Sequence, residues 1–190
     1  MRLLRPIGED EVITVYLGAE LDSDRFGPQL RRRLARDGQE LASADAAYRR
    51  RLLDEHRGYG TRTGMFEGFP RAVDWFRAAL SREEVLDGRY TDYSWWVELS
   101  GGTRSPREAA RRIRAGELTG MTAGATAEEH EPFLARTSEL IAATTPAQET
   151  RVVVEGHARL TAYALFPERM PNELELILGV SADLEGWWSF

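Results

Sequence analysis

Apolar positions in the first ninety residues recur mainly at helix spacing. Val12, Val15, Tyr16 and Ala19 fall on one stripe and predict a helix, although Val12-Ile-Thr-Val-Tyr16 would suit a strand equally well. Pro28 opens a second helix through Leu30 and Leu34 to Asp37, and Gly38 stops it. Ala44 to His56 carries Ala47, Leu52 and Leu53 among charged residues and ends at Gly58 and Gly60. Pro70 fits the first turn of a helix bearing Val73, Trp75, Phe76 and Leu80. Ser81-Arg-Glu-Glu84 is a capping box for a short helix after it.

The pattern changes near Tyr90. Tyr93 to Leu99 is rich in aromatic and β-branched residues and predicts a strand. Ser100 to Thr103 is a turn. Ser105-Pro-Arg-Glu108 starts a helix that Gly116 ends, and Thr126 caps another. Strands are predicted at Glu139 to Thr144, Arg151 to Glu155 and Leu174 to Leu178, with a helix from about His157. Trp187, Trp188 and Phe190 predict a tail packed back on the body. The expectation is an α+β protein: a helical region over residues 1–90 packed on a mixed-sheet core over residues 91–190.

Composition removes several chemistries. The 190 residues include 25 basic side chains, all Arg, and no Cys, with a formal charge of −6. A thiol nucleophile, a Cys-based zinc site, a Schiff-base lysine and a P-loop are all excluded. The excess of acid argues against a general nucleic-acid binder. No apolar run approaches the roughly 20 residues that span a bilayer. Met1 to Asp10 lacks the apolar stretch of a signal peptide, so a cytoplasmic protein without a membrane partner is expected.

One segment carries chemistry. Val152-Val-Val-Glu155 is an apolar strand, Gly156 permits a tight turn, and a helix follows at once. The first amides of that helix lack intrahelical partners, and its dipole adds positive charge. His157 and Arg159 lie in the same turn. Such a corner suits an anion, above all phosphate. The plainer alternative is that Arg159 pairs with Glu155 and His157 satisfies a loop carbonyl.

Glu155-Gly-His-Ala-Arg159, set between a strand and an apolar helix and followed by Leu174-Glu-Leu-Ile-Leu178, resembles the core of the ParB/sulfiredoxin superfamily. ParB proteins carry Gly-Glu-Arg-Arg at this corner, sulfiredoxins Gly-Cys-His-Arg, and the free-serine kinases Asp-Gly-His-His-Arg. This chain is most similar to the last, with Glu for Asp and Ala158 for the second His. In this resemblance Trp95 to Leu99, Arg104 and the helix from Pro106 stand for the first strand, its arginine and its helix. Ser138 to Thr144 is then the strand before the motif. The likeness spans about residues 92–181.

The resemblance implies a nucleotide- or phosphate-binding protein, most concretely a small-molecule phosphotransferase using ATP or ADP with Mg²⁺. Gly156, His157, Arg159 and Arg104 would hold phosphate, and Glu98 or Glu155 would take the proton. The missing Cys closes the sulfiredoxin branch, and too few residues follow Ser181 for a helix-turn-helix domain. The missing second His leaves a non-catalytic ligand-binding or regulatory module as the alternative. Nucleic-acid processing is the third reading. His56 and His130 sit in charged stretches and are expected to be solvated. The Arg31 to Arg33 and Arg49 to Arg51 runs read as solvated helix faces, and Phe66 to Pro70 as a segment able to close over a ligand.

Overall fold

The computed structural model describes residues 1–136 and 139–190. Ser138, the expected start of the strand before the Gly-His motif, lies outside them. Strand β1 (Arg2–Ile7) leads into helices α1 (Glu9–Leu21), α2 (Gly27–Asp37) and α3 (Ala46–Arg57). Strand β2 (Asp74–Ser81) follows, then α4 (Arg82–Leu86), α5 (Ser94–Leu99), α6 (Pro106–Ala115) and α7 (Ala127–His130). The chain ends with β3 (Ile141–Thr144), β4 (Arg151–Glu155), α8 (His157–Leu165) and β5 (Glu173–Val180). The fold class is α+β. None of the described helices is long and apolar enough to cross a membrane.

Local signals set many boundaries. Ser81, Ser105 and Thr126 each accept a hydrogen bond from the backbone amide three residues on. Gly38, Gly58 and Gly116 end α2, α3 and α6 in left-handed conformations.

The five strands form one mixed sheet in the order β1-β2-β5-β3-β4. Among the described strands only the β3–β5 pair is parallel, and Arg89 adds an isolated parallel bridge to Val152 of β4. Strand β2 pairs with β5 along its whole length, from Asp74 opposite Val180 to Ser81 opposite Glu173. The sheet therefore runs across the division at residue 90, with β1 and β2 supplied from its N-terminal side.

Helices cover both faces. Alternate residues of each strand point opposite ways. Val152, Val154 and Ile177 pack with α1, α2 and α3. Val153, Leu176 and Leu178 pack with α6 and α8. The tail closes the first layer: Trp187 is buried, and its indole N–H donates to the Met65 carbonyl at 2.9 Å.

Two expected elements differ, and one strand has no counterpart among the expectations. Residues 74–81 form a strand, not a helix, because β1 and β5 pair with both edges of this segment. Val73, Phe76 and Leu80 fit helix spacing, while Phe76, Ala78 and Leu80 fit a strand's alternation equally well. Residues 94–99 form a helix, not a strand. The Val97 amide bonds the Tyr93 carbonyl, and Trp95 and Trp96 meet nearly edge to face at 4.5 Å. Strand β1 lies on the edge of the sheet and is almost entirely exposed, so its mixed composition carries no alternation.

Other expectations change with packing. Phe66 and Phe69 are buried core residues and not a lid. His130 is buried, with Nδ1 2.8 Å from the Thr126 carbonyl, and His56 meets Glu20 at 3.3 Å. Much of the arginine runs is tied down: Arg33 pairs with Asp37, Arg49 with Asp10 and Arg50 with Glu9.

Candidate functional site

The Gly-His corner opens on a cavity of about 460 Å³ between α1, α3, α5 and the start of α8. Gly156 turns the chain from β4 into α8 with φ +96°, a region that side-chain-bearing residues rarely adopt. A Cβ there would come within 2.4 Å of Leu140 Cδ2. The first backbone bond of α8 runs from the Leu160 amide to the Gly156 carbonyl at 2.9 Å. The amides of His157, Ala158 and Arg159 precede it, and all three residues line the cavity.

Burial and neighbouring charge set the ionisation of the corner. The Glu155 carboxyl is pushed up to about 8, first by desolvation and then by the negative charge of Glu20. Arg57, the Gly156 amide and Arg159 oppose the rise only in part. At neutral pH Glu155 keeps its proton.

His157 is held neutral. Burial, reinforced by repulsion from Arg57, lowers it to about 3. Its Nε2 lies 3.0 Å from the Thr91 hydroxyl, and the ring also bonds the Val153 backbone. The ring stacks on Trp96 at 5.1 Å and 17°. His157 thus joins α5 to α8 and offers no positive charge to an anion.

Arg159 is buried and bridges to the segment before β3. Its Nε donates to the Phe133 carbonyl at 3.3 Å, and its guanidinium also meets the Arg136 carbonyl. It lines the cavity while holding one wall in place.

Glu98 and Arg104 stand elsewhere. In helix α5 the Glu98 carboxylate turns toward the Thr122 amide at 3.3 Å, while Trp95 and Trp96 face the cavity. Arg104 donates to the carbonyls of Tyr90 and Phe190, both at 2.8 Å, and to that of Ser189. It clamps the C-terminal tail. Of the six residues singled out from the sequence, Glu155, Gly156, His157 and Arg159 share the cavity.

The N-terminal helices supply what the motif lacks. Glu20 is buried and accepts from Arg57 Nε at 3.0 Å. The Arg57 guanidinium lies 3.7 Å from the Phe26 ring centroid, with Arg25 at 4.8 Å from the same ring. Arg25 is exposed at the rim and forms no ion pair among the described residues. Across the mouth, Arg136 donates to the Asp22 carbonyl at 2.9 Å. One sequence signal pointed here: Glu20 lies one helical turn after Tyr16 on the apolar stripe of α1, where an acid is out of place.

Four guanidinium groups therefore line the cavity against the carboxyls of Glu20 and Glu155, and Glu155 is protonated. The pocket is locally positive in a protein of net charge −6. No group of three metal-ligating side chains occurs among the described residues. Comparison with family models, with curated proteins and with solved structures finds no match to the chain.

Proposed function

We propose that this chain binds a phosphorylated small molecule or nucleotide in the cavity at the start of α8, on a core of ParB/sulfiredoxin type. The carrying observation is the concentration of guanidinium groups and helix amides around one aromatic-walled pocket. Guanidinium forks and N-terminal amides are the donors a phosphate needs. Trp95, Tyr93 and Phe26 offer flat apolar surface for a base. A volume near 460 Å³ suits a ligand of this size.

The donor set fits the phosphates of ATP or ADP. It does not make a Mg²⁺ site by itself, because Glu20 is paired with Arg57 and Glu155 holds its proton. Mg²⁺ would therefore arrive with the nucleotide.

Phosphoryl transfer is the stronger version of this reading. The proton of an acceptor hydroxyl would pass to Glu155 as the new O–P bond forms and the bond to the nucleoside diphosphate breaks. That step needs ionised Glu155, so its rate would rise as pH passes about 8. A specific observation favours the non-catalytic module instead. His157 Nε2 is engaged by the Thr91 hydroxyl and the ring is neutral, while Glu98 lies outside the pocket.

Calorimetric titration with ADP, ATP and inorganic phosphate, each with and without Mg²⁺, tests the binding reading. Arg25→Ala is the informative variant, because Arg25 is exposed and forms no ion pair among the described residues. Its stability should stay within about 0.5 kcal/mol of the parent while nucleotide affinity falls. The absence of binding to every probe refutes the reading. Phosphorus NMR of bound ATP with candidate hydroxyl acceptors then separates transfer from binding alone.

A further inference from the structure

We infer that Tyr16 is a specificity-determining residue of this cavity: its hydroxyl donates to the innermost oxygen of the bound phosphoryl group, beside Glu155. The inference rests on the phosphate-binding reading and adds the ligand's orientation to it, with the phosphoryl end inward.

Tyr16 belongs to α1, in the half of the chain that the Gly-His motif leaves unexplained. It is 2% exposed, yet it lines the cavity. Its ring is fixed in the core beside Phe66, with centroids 6.0 Å apart. The acceptor found for its proton is the Met65 thioether sulfur at 3.3 Å. A thioether is a weak acceptor, so a strong donor sits at the cavity wall without a strong acceptor. A phosphoryl oxygen would supply one.

The charged groups around the hydroxyl keep it a donor. Glu20 lies on the same helix, Glu155 at the end of β4 and Arg57 on α3. Burial and the two carboxyls raise the phenol well above its ordinary value, and Arg57 offsets this only in part. Glu155, which carries its proton at neutral pH, is a second O–H donor lining the same cavity. Two neutral donors and the guanidinium groups thus favour an oxyanion, and a ligand whose buried end offers no acceptor leaves Tyr16 with the weak Met65 sulfur as its acceptor.

The test is calorimetric titration of the full chain with pyrophosphate and with ADP, comparing wild type, Tyr16→Phe and Met65→Leu. Phenylalanine keeps the ring and its packing and removes only the hydroxyl. Tyr16→Phe should weaken both probes about 10- to 100-fold, the loss expected for a hydrogen bond to a charged group. Met65→Leu, which removes the competing sulfur, should leave affinity equal or higher. Equal affinity of wild type and Tyr16→Phe overturns the assignment of Tyr16 alone. A loss confined to ADP also overturns it, because the hydroxyl would then contact the nucleoside. Failure of wild type to bind either probe overturns the phosphate site itself. A urea midpoint unchanged in Tyr16→Phe shows that any loss is local.

Discussion

Replacing Glu155 by glutamine should change how stability depends on pH, and two groups at the cavity dominate the shape above the ordinary carboxyl range. Glu155 rises from an ordinary value of 4.5 to about 8 on folding. Between those values the unfolded chain has lost the proton and the folded chain has kept it. Stability therefore falls by about 1.4 kcal/mol per pH unit, or roughly 5 kcal/mol across the window. His157 acts in the opposite sense. It falls from 6.5 to about 3, so the unfolded chain binds a proton that the folded chain excludes. Its contribution raises stability at the same slope, about 1.4 kcal/mol per unit, as pH climbs through that range. The two slopes cancel between the ordinary Glu and His values of 4.5 and 6.5. Wild type should rise to the lower value, with carboxyls such as Asp37 and Glu11 that the fold holds low adding to that rise. It should stay level to the upper value and then lose about 2 kcal/mol by pH 8. The glutamine amide cannot ionise, so Glu155→Gln should keep rising to the His value and then level off. The gap between the proteins should widen by about 1.4 kcal/mol per unit throughout the Glu155 window. Urea denaturation in buffered steps, followed by tryptophan fluorescence, measures both profiles. Parallel profiles would refute the reasoning, because Glu155 would then titrate alike in both states.

Two further substitutions probe the frame of the site. Gly156→Ala combines a φ of +96° with a Cβ at 2.4 Å from Leu140 Cδ2. It should cost about 1–3 kcal/mol by the same denaturation, and an unchanged midpoint would count against the corner geometry. Arg104→Ala removes hydrogen bonds to the carbonyls of Tyr90, Ser189 and Phe190 and should cost about 2–4 kcal/mol. Amide exchange at Trp187 to Phe190 should quicken while ADP affinity stays level, and weakened ADP binding would place Arg104 in the site after all.

How much of the chain was legible differs by element. The caps Ser81, Ser105 and Thr126 and the glycines at 38, 58 and 116 act within one turn of themselves, so their helices could be placed from local chemistry. The run of valines before Glu155 marked β4, and Gly156 marked the turn after it. Residues 74–81 and 94–99 could not be settled this way. Strand β2 exists because β5, far along the chain, pairs with it. Helix α5 places Trp96 on His157, again a distant partner. Short apolar runs fit both periods, and only long-range pairing decides between them.

The site divides along the same line. By itself the sequence determined that the positive charge facing any anion here cannot come from lysine and falls to arginine, histidine or helix amides. It also determined the corner, because Gly156 and the helix start after it are local features. Tertiary structure alone decided that Glu98 and Arg104 stand apart, and that Tyr16, Glu20, Arg25 and Arg57 complete the cavity. It decided the ionisation of Glu155 and His157 as well. A carboxyl or imidazole is charged or neutral according to its solvent exposure and the charges folded beside it, and those neighbours come from helices far away in the chain.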